Sequence, residues 1–456
     1  MSSTFTTSDE NADEQRGPER APRLGRRFLT VWFGQTVSTV GTYVSAIGAA
    51  VYIFTTTGSV IWLGVLAATS GVAAIAAAPL LGRIDQFERR TVMIAADLLA
   101  AAAAVVALVL LAAGRLEVWH LVLTGFIGGI GNAFQIPASM AALPALAGGA
   151  LDRANGLIQL GPAVAMVVGP AIGAALVGWY GIGAVLWFDV LTFAVAVVAT
   201  ASTPFRAGVA GPSPAGVDRR GWAPAIAWLR AEGRPLLTLI AVMAVINLLL
   251  GYFNVAMLAL ATDLGGPARA GLVPSVAGVG MVVASLVVGA RGLPSRRVAT
   301  LATGLAVIGL GLVIAALRPS FALLIIGITL ALVVVPVLNA TSATIFNERV
   351  PADVQGRVFG LRLSIGRALD PIGSATAGFV IALLAAPAMS DGGPLASSAG
   401  ALIGTGAGRA PALVVMVIGL GLVGVSLLVR RNTQLARLDA APEVERPTDA
   451  LAGATV

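Results

Sequence analysis

Cysteine and lysine are both missing from this 456-residue chain, and histidine occurs once, at His120. No disulfide or thiolate metal site can form without cysteine, and a single histidine cannot build a His-rich metal centre. Without lysine there is no residue to serve a Walker phosphate-binding motif, so ATP is not the fuel. Charge is also scarce, at 11% of residues, against about 25% in an ordinary soluble domain. Most enzyme classes therefore lack their usual reagents, and a soluble globule of this size would lack polar surface to cover itself. What the chain does have is apolar side chains, 57% of the total, with a mean hydropathy of +0.91. At about 20 apolar residues per crossing, that is material for roughly a dozen membrane-spanning helices.

The apolar residues fall in runs near 28–54, 60–82, 91–113, 118–146, 156–179 and 181–202, and again near 236–262, 270–291, 298–317, 321–346, 358–386 and 410–429. The first run is far longer than the about 7 to 15 residues of a cleavable signal core, so it is expected to remain as a helix. The pattern predicts an all-α membrane protein of twelve transmembrane helices in two six-helix halves. Residues 1–27 are expected to form a cytoplasmic tail, 28–202 one bundle, 203–235 a cytoplasmic central loop, 236–429 the second bundle and 430–456 a cytoplasmic tail. Within the central loop, WAPAIAWLRAEG has the pattern of a short amphipathic helix on the membrane surface.

All 29 basic residues are arginine. A twelve-helix arrangement with both termini inside leaves only Arg115, Arg269, Arg318 and Arg409 outside, which predicts cytoplasmic termini in a multi-pass protein of the cell membrane. The net charge of +7 is then a topology signal, with no nucleic-acid partner implied. A faint internal echo, DRANG followed by GPAIG in the first half and ADVQG followed by DPIG in the second, fits two halves repeated about an axis along the membrane normal, enclosing a midplane cavity.

Between the second and third runs lies LLGRIDQFERRTVMI, a short polar turn containing Gly82, Asp85, Arg89 and Arg90. A carboxylate here can accept hydrogen bonds from a helix N-terminus and the arginines can pair with acids across the gap between halves, latching one conformation. Charges that merely fix topology are the equal alternative. The turn resembles the second-loop signature of the major facilitator superfamily, with Gly82 one place late and Gln86 where an arginine usually follows the aspartate. FLTVWFGQTVSTVGTYV, TTTGS, ANGLIQLGPAVAMVVGPAIGAAL and NERVPADVQGRVFGLRLSIGRALDPIGSATAG resemble its drug and siderophore exporters, the branch of macrolide-efflux and enterobactin-export proteins. That resemblance implies alternating access and secondary active export of an amphiphilic small molecule, such as a drug, antibiotic or siderophore, by exchange for a proton or other coupling cation. Uptake of a metabolite by the same fold, or a membrane receptor or assembly factor that does not transport, are the alternatives.

In the fifth helix, Gly161, Pro162, Gly169, Pro170 and Gly173 resemble an antiporter motif. Glycines at this spacing let backbones approach and prolines permit a bend, although the same residues can serve packing alone. Proton exchange requires an intramembrane acid. Asp370 ranks first, with Arg367 on the same helical face, a pairing that serves coupling or structure equally well. Asp189 ranks second, while Asp97 and Asp263 are assigned to helix ends at the interface. The fourth helix lacks the arginine of several proton-coupled relatives, and Gln35 stands in the first helix where an acid is often found. Uncharged polar residues inside the helices are the substrate-cavity candidates: Gln35, Ser38 and Thr42; Asn132 and Gln135; Asn247 and Asn254; Asn339 and Ser342. Their alternative role is interhelical hydrogen bonding. No cofactor and no metal is expected; the expected partners are a small-molecule substrate, the coupling cation and the lipid bilayer.

Overall fold

Backbone polar groups in a bilayer must pair within their own segment, so apolar runs of this length have little choice but to be helical. The computed structural model describes residues 24–84, 87–147, 150–204 and 222–439. Most of the N-terminal tail, most of the central loop and the last part of the C-terminal tail lie outside the described residues, as does Asp85. The first half comprises α1 (Arg26–Thr57), α2 (Val60–Ile84), α3 (Arg89–Ala112), α4 (Val118–Ala147), α5 (Leu151–Tyr180) and α6 (Ile182–Ser202). After the short α7 (Ala223–Ala231) come α8 (Arg234–Gly265), α9 (Leu272–Arg291), α10 (Arg297–Ala316), α11 (Phe321–Val333), α12 (Val335–Arg349) and α13 (Ala352–Val380). A five-residue π-helical turn, Ile381–Ala385, then α14 (Ala386–Met389), α15 (Ala399–Ile403) and α16 (Ala410–Arg431) complete the second half.

Among the described residues, twelve stretches are long and apolar enough to cross a membrane. The run near 321–346 is one span in two pieces, α11 and α12, because Pro336 in the first turn of α12 has no N–H to continue the ladder. The segment around WAPAIAWLRAEG contains a nine-residue helix whose buried residues, Ala225 and Leu229, pack it on α8 and α13. The two sequence echoes open α5 and α13, each at the first turn of its helix.

In lipid, helices associate chiefly by close packing, so small residues decide where backbones can touch. Gly34, Gly41 and Gly48, seven apart on α1, face α6, where a Cβ on Gly41 would lie 1.9 Å from Thr192 Oγ1. The other side of α1 meets α5. A Cβ on Gly169 would lie 2.5 Å from Tyr43 Cβ, and one on Gly173 would lie 2.3 Å from the Val44 carbonyl oxygen. Because that oxygen belongs to backbone, it cannot rotate away, and Gly173→Val is expected to destabilise the first half by at least about 1 to 3 kcal/mol, the usual range for overpacking. Thermal unfolding in detergent checks this, with Gly156→Val as the control, since nothing lies within 4 Å of a Cβ there.

An even number of crossings returns the chain to the face where it started, here called the terminal face. The two halves meet at or beyond the midplane, toward the opposite, far face. Gly378 packs on Val60 and Ile61, Gly64 on the Ser374 carbonyl and Gly71 on the ring of Pro371, joining α2 to α13. Gly271 packs on the Pro170 carbonyl and Gly178 on Ala268, while the Ala171 N–H donates to Ser275 Oγ at 3.1 Å, joining α5 to α9 and its preceding turn. The halves are thus closed together toward the far face.

Candidate functional site

From mid-helix toward the far face of the first half lies a cavity of about 360 Å³, walled by α1, α2, α3, α4 and α6 and completed by α8 from the second half. Its volume lies in the range of small-molecule sites. Alanine, glycine, leucine and valine make most of the wall, with Phe193 and Met257. Against this apolar background stand Thr42 and Ser45 on α1, Asn132 and Gln135 on α4, Asp189 on α6 and Asn254 on α8. Such a surface suits a molecule with a large apolar body and a few polar groups.

Four of the sequence-derived cavity candidates, Thr42, Asn132, Gln135 and Asn254, therefore line one space. The others are placed differently. Ser38 is buried between helices. Asn247 turns back to its own helix, donating to the Met243 carbonyl at 2.8 Å. Ser342 is buried on α12 with its hydroxyl lacking a partner, and Asn339 is exposed on the same helix without belonging to this cavity.

Asp189 is 6% exposed, and its Oδ1 has no hydrogen-bond partner. Ser45 stands beside it, its own Oγ also without a well-formed hydrogen bond. A carboxylate in this setting, one wall of an otherwise apolar cavity, is costly to keep ionised. Asp370, on α13, has an unpartnered Oδ1 as well; it sits where α8 and α13 touch, with Gly251 packed against its carbonyl. The side chain of Arg367 lies outside the described residues.

Asp97 differs from its expected interfacial place. It is wholly buried on α3, reached from α1 by Gln35, whose Nε2 donates to Oδ2 at 3.0 Å, and from α4 by Gln135, whose Nε2 donates to Oδ1 at 2.8 Å. Gln135 Nε2 also donates to Gln35 Oε1, and Gln35 Nε2 to Thr200 Oγ1 on α6 at 3.3 Å. Four helices are tied by one carboxylate and two amides. Read from the edge of its apolar run, Asp97 looks interfacial; read from the true helix ends, Gln35, Asp97 and Gln135 share a depth, and that common depth was the available signal. Gln35 accordingly serves this network and is absent from the cavity wall.

Of the turn between α2 and α3, Gly82 ends up in the last turn of α2 and Asp85 lies outside the described residues. Arg89 is buried at 4% exposure. Arg90 reaches its own half: its Nε donates to the Thr200 carbonyl at 3.2 Å and its Nη2 to the Ala201 carbonyl. A cation on the last carbonyls of a helix is a favourable placement, and in this conformation Arg90 holds α3 to α6 in place of bridging the halves. On α5, Gly161, Gly169 and Gly173 face α1, with Gly161 opposite Thr36, while Pro170 presents its carbonyl to α9 and Pro162 lies within the same helix. In the second half, Arg362 on α13 stands 4.7 Å over the ring of Phe346.

The family profile described as Major Facilitator Superfamily matches residues 31–374. The chain belongs to that superfamily. It is accordingly a membrane transporter with a small-molecule substrate, and its role is transport in place of catalysis. Macrolide efflux protein A of Streptococcus pyogenes is 26% identical over 356 residues, 76% of this chain and 87% of that protein. Multidrug efflux pump Tap of Mycolicibacterium fortuitum is 25% identical over 309 residues, 65% and 74% of the two chains. Among solved structures, the nucleoside transporter NupG superposes with a TM-score of 0.65 at 14% identity, covering 88% of this chain and 99% of that one. A bacterial homologue of the lysosomal transporter Spinster, in an inward-facing and unoccupied conformation, gives 0.66 at 15% identity, covering 91% and 98%. At those identities the superpositions speak for the fold.

Proposed function

We propose that this facilitator exports an amphiphilic or hydrophobic small molecule, a drug-like compound or antibiotic, in exchange for protons. The observation that carries the reading is the cavity itself: apolar over most of its wall, with Thr42, Asn132 and Asn254 spread around it and the carboxylate of Asp189, its Oδ1 without a partner, inside. Similarity to two proteins named for macrolide and multidrug efflux supports the direction and the substrate class. With the arginine-rich terminal face placed in the cytoplasm, the conformation described here is inward-facing, ready to load substrate from the cell interior or the inner leaflet. Substrate release on the far side then requires the α2–α13 and α5–α9 contacts to part while the terminal face closes. One proton moving inward at a membrane potential of 100 mV supplies about 2.3 kcal/mol, enough for roughly a fifty-fold gradient of a neutral solute.

Everted membrane vesicles with an imposed pH gradient test the reading with ethidium and radiolabelled erythromycin. Export predicts accumulation inside the vesicle driven by an acidic lumen, with collapse on addition of a protonophore. Asp189→Asn and Asp370→Asn together are expected to remove the gradient dependence; unchanged proton-driven uptake in that double variant would overturn the assignment of coupling to either acid. Movement in the opposite sense indicates an uptake carrier, and saturable binding without flux indicates a receptor.

A further inference from the structure

The carboxylate of Asp97 has no exposed surface, and neither the cavity nor the turn after α2 accounts for it. It is fully buried and faced by neutral groups alone: Gln35 and Ser38 from α1 and Gln135 from α4. Charged groups on the helices packed around it lie elsewhere. On α3 itself, Arg89 and Arg90 are about two turns nearer the terminal face, with Arg90 occupied by α6 carbonyls. Arg26 and Arg27 begin α1, more than two turns away. On α6, Asp189 is about three turns from Thr200, and on α4 His120 lies near the opposite end of the helix. An ionised carboxylate so placed depends on its two amide donors. A protonated one needs an acceptor for its own O–H, and rotation of either glutamine amide supplies one, because each presents an N–H and a carbonyl on a common pivot. The glutamine pair can therefore satisfy both states of one proton site.

One of those glutamines is shared. Gln135 lines the substrate cavity and donates to Asp97, and Ala96 and Ala100 on either side of Asp97 line the same cavity. A molecule that donates a hydrogen bond to the Gln135 carbonyl from the cavity occupies the acceptor that a protonated Asp97 needs. We propose that Asp97, Gln35 and Gln135 form a proton-binding site behind the cavity wall, through which proton occupancy and substrate occupancy compete by way of Gln135. The inference deepens the export reading and rests on it. In the conformation described here the carboxylate accepts both amides, the arrangement of the proton-free state. A proton arriving from the far-face-open conformation adds to the carboxylate and turns the Gln135 amide, so that its carbonyl accepts the Asp97 O–H and is withdrawn from the cavity. It leaves to water on the terminal face when the conformation returns, so the carboxylate is regenerated once per cycle.

Natural cysteine is absent from the chain, so Tyr180→Cys with Asp391→Cys, both exposed and at the far-face ends of opposite halves, can carry spin labels without other changes. In lipid nanodiscs, the ratio of short to long far-face distances is expected to fall about ten-fold as pH is lowered from about 8 to about 5.5, the change that one pKa unit of linkage produces. Asp97→Asn is expected to give the low-pH distribution at every pH, and Asp97→Glu to restore a pH response. Gln135→Met, which keeps the carboxylate and removes one donor, is expected to move the midpoint to higher pH and serves if Asp97→Asn fails to fold. Glu117→Gln, at an exposed acid outside both the cavity and this site, is expected to keep the response. A wild-type response retained in Asp97→Asn, or a response abolished by Asp189→Asn instead, would overturn the site, as would a shift produced by sodium in place of protons. If the labelled wild type shows no pH response while ethidium export is still gradient-driven, this site fails and the export reading stands; an Asp97-dependent response without export leaves the reverse.

Discussion

Leucine at both Gly71 and Gly271 is expected to hold the transporter out of the conformation described here and to abolish ethidium export, while the protein still inserts and folds. A Cβ on Gly71 would lie 1.8 Å from Pro371 Cγ, and one on Gly271 would lie 1.8 Å from the Pro170 carbonyl oxygen. Both contacts are between halves, one on α2–α13 and the other on α5–α9. Neither proline ring nor helix carbonyl has a rotamer through which to yield. Each overpacked position costs typically about 1 to 3 kcal/mol, and the cost falls on the far-face-closed state alone, since alternating access separates these surfaces in the other state. Together they approach the about 5.5 kcal/mol that takes a two-state balance from one extreme to the other. The spin-label pair at Tyr180 and Asp391 reads the result as a long far-face distance at every pH. Short distances with normal export would show that the two glycines do not limit closure.

Sequence alone carried the helix count and the two-half reading, because a hydrocarbon slab filters for runs of about 20 apolar residues and no other segment length satisfies it. Positions within the helices were legible to differing degrees. Thr42, Asn132, Gln135 and Asn254 stand out as polar residues in apolar runs, and they do line one cavity. Asn247 has the same appearance, yet its amide is spent on its own backbone, a choice of rotamer that helical spacing cannot foresee. Asp97 reads as interfacial because it stands early in its apolar run, but it lies about two turns inside α3, where α1, α4 and α6 close over it. Arg90 invites a cross-half ion pair from its charge, but the free carbonyls at the end of α6 lie nearer. The seven-residue glycine stripe of α1 was open to reading as a packing face; which helix it faces is decided only by tertiary structure.

Arg409→Met is expected to be among the most destabilising single substitutions in the second half, for reasons unrelated to transport. Of the arginines assigned to the far face from charge counting, Arg409 is 6% exposed. Its Nε donates to the Ile403 carbonyl at 2.7 Å and its Nη2 to the Ala316 carbonyl at 3.0 Å, pinning the segment before α16 to the end of α10. Burial pushes the guanidinium pKa down and nearby Asp263 pushes it up, and arginine has ample margin to remain charged at any physiological pH. Methionine keeps much of the volume and leaves two buried carbonyls without donors, at about 1 to 3 kcal/mol each. Lysine is no substitute, since one ammonium on a flexible stem lacks the fixed fork that reaches two carbonyls at once. Both variants are expected to lower the thermal midpoint in detergent and to make the segment between α14 and α16 sensitive to thermolysin, with the pH response of the far-face distance retained. An unchanged midpoint in Arg409→Met would mean that the carbonyls find water. A basic residue held on the face where a charge-based topology disfavours it is then explained by the helix ends it caps.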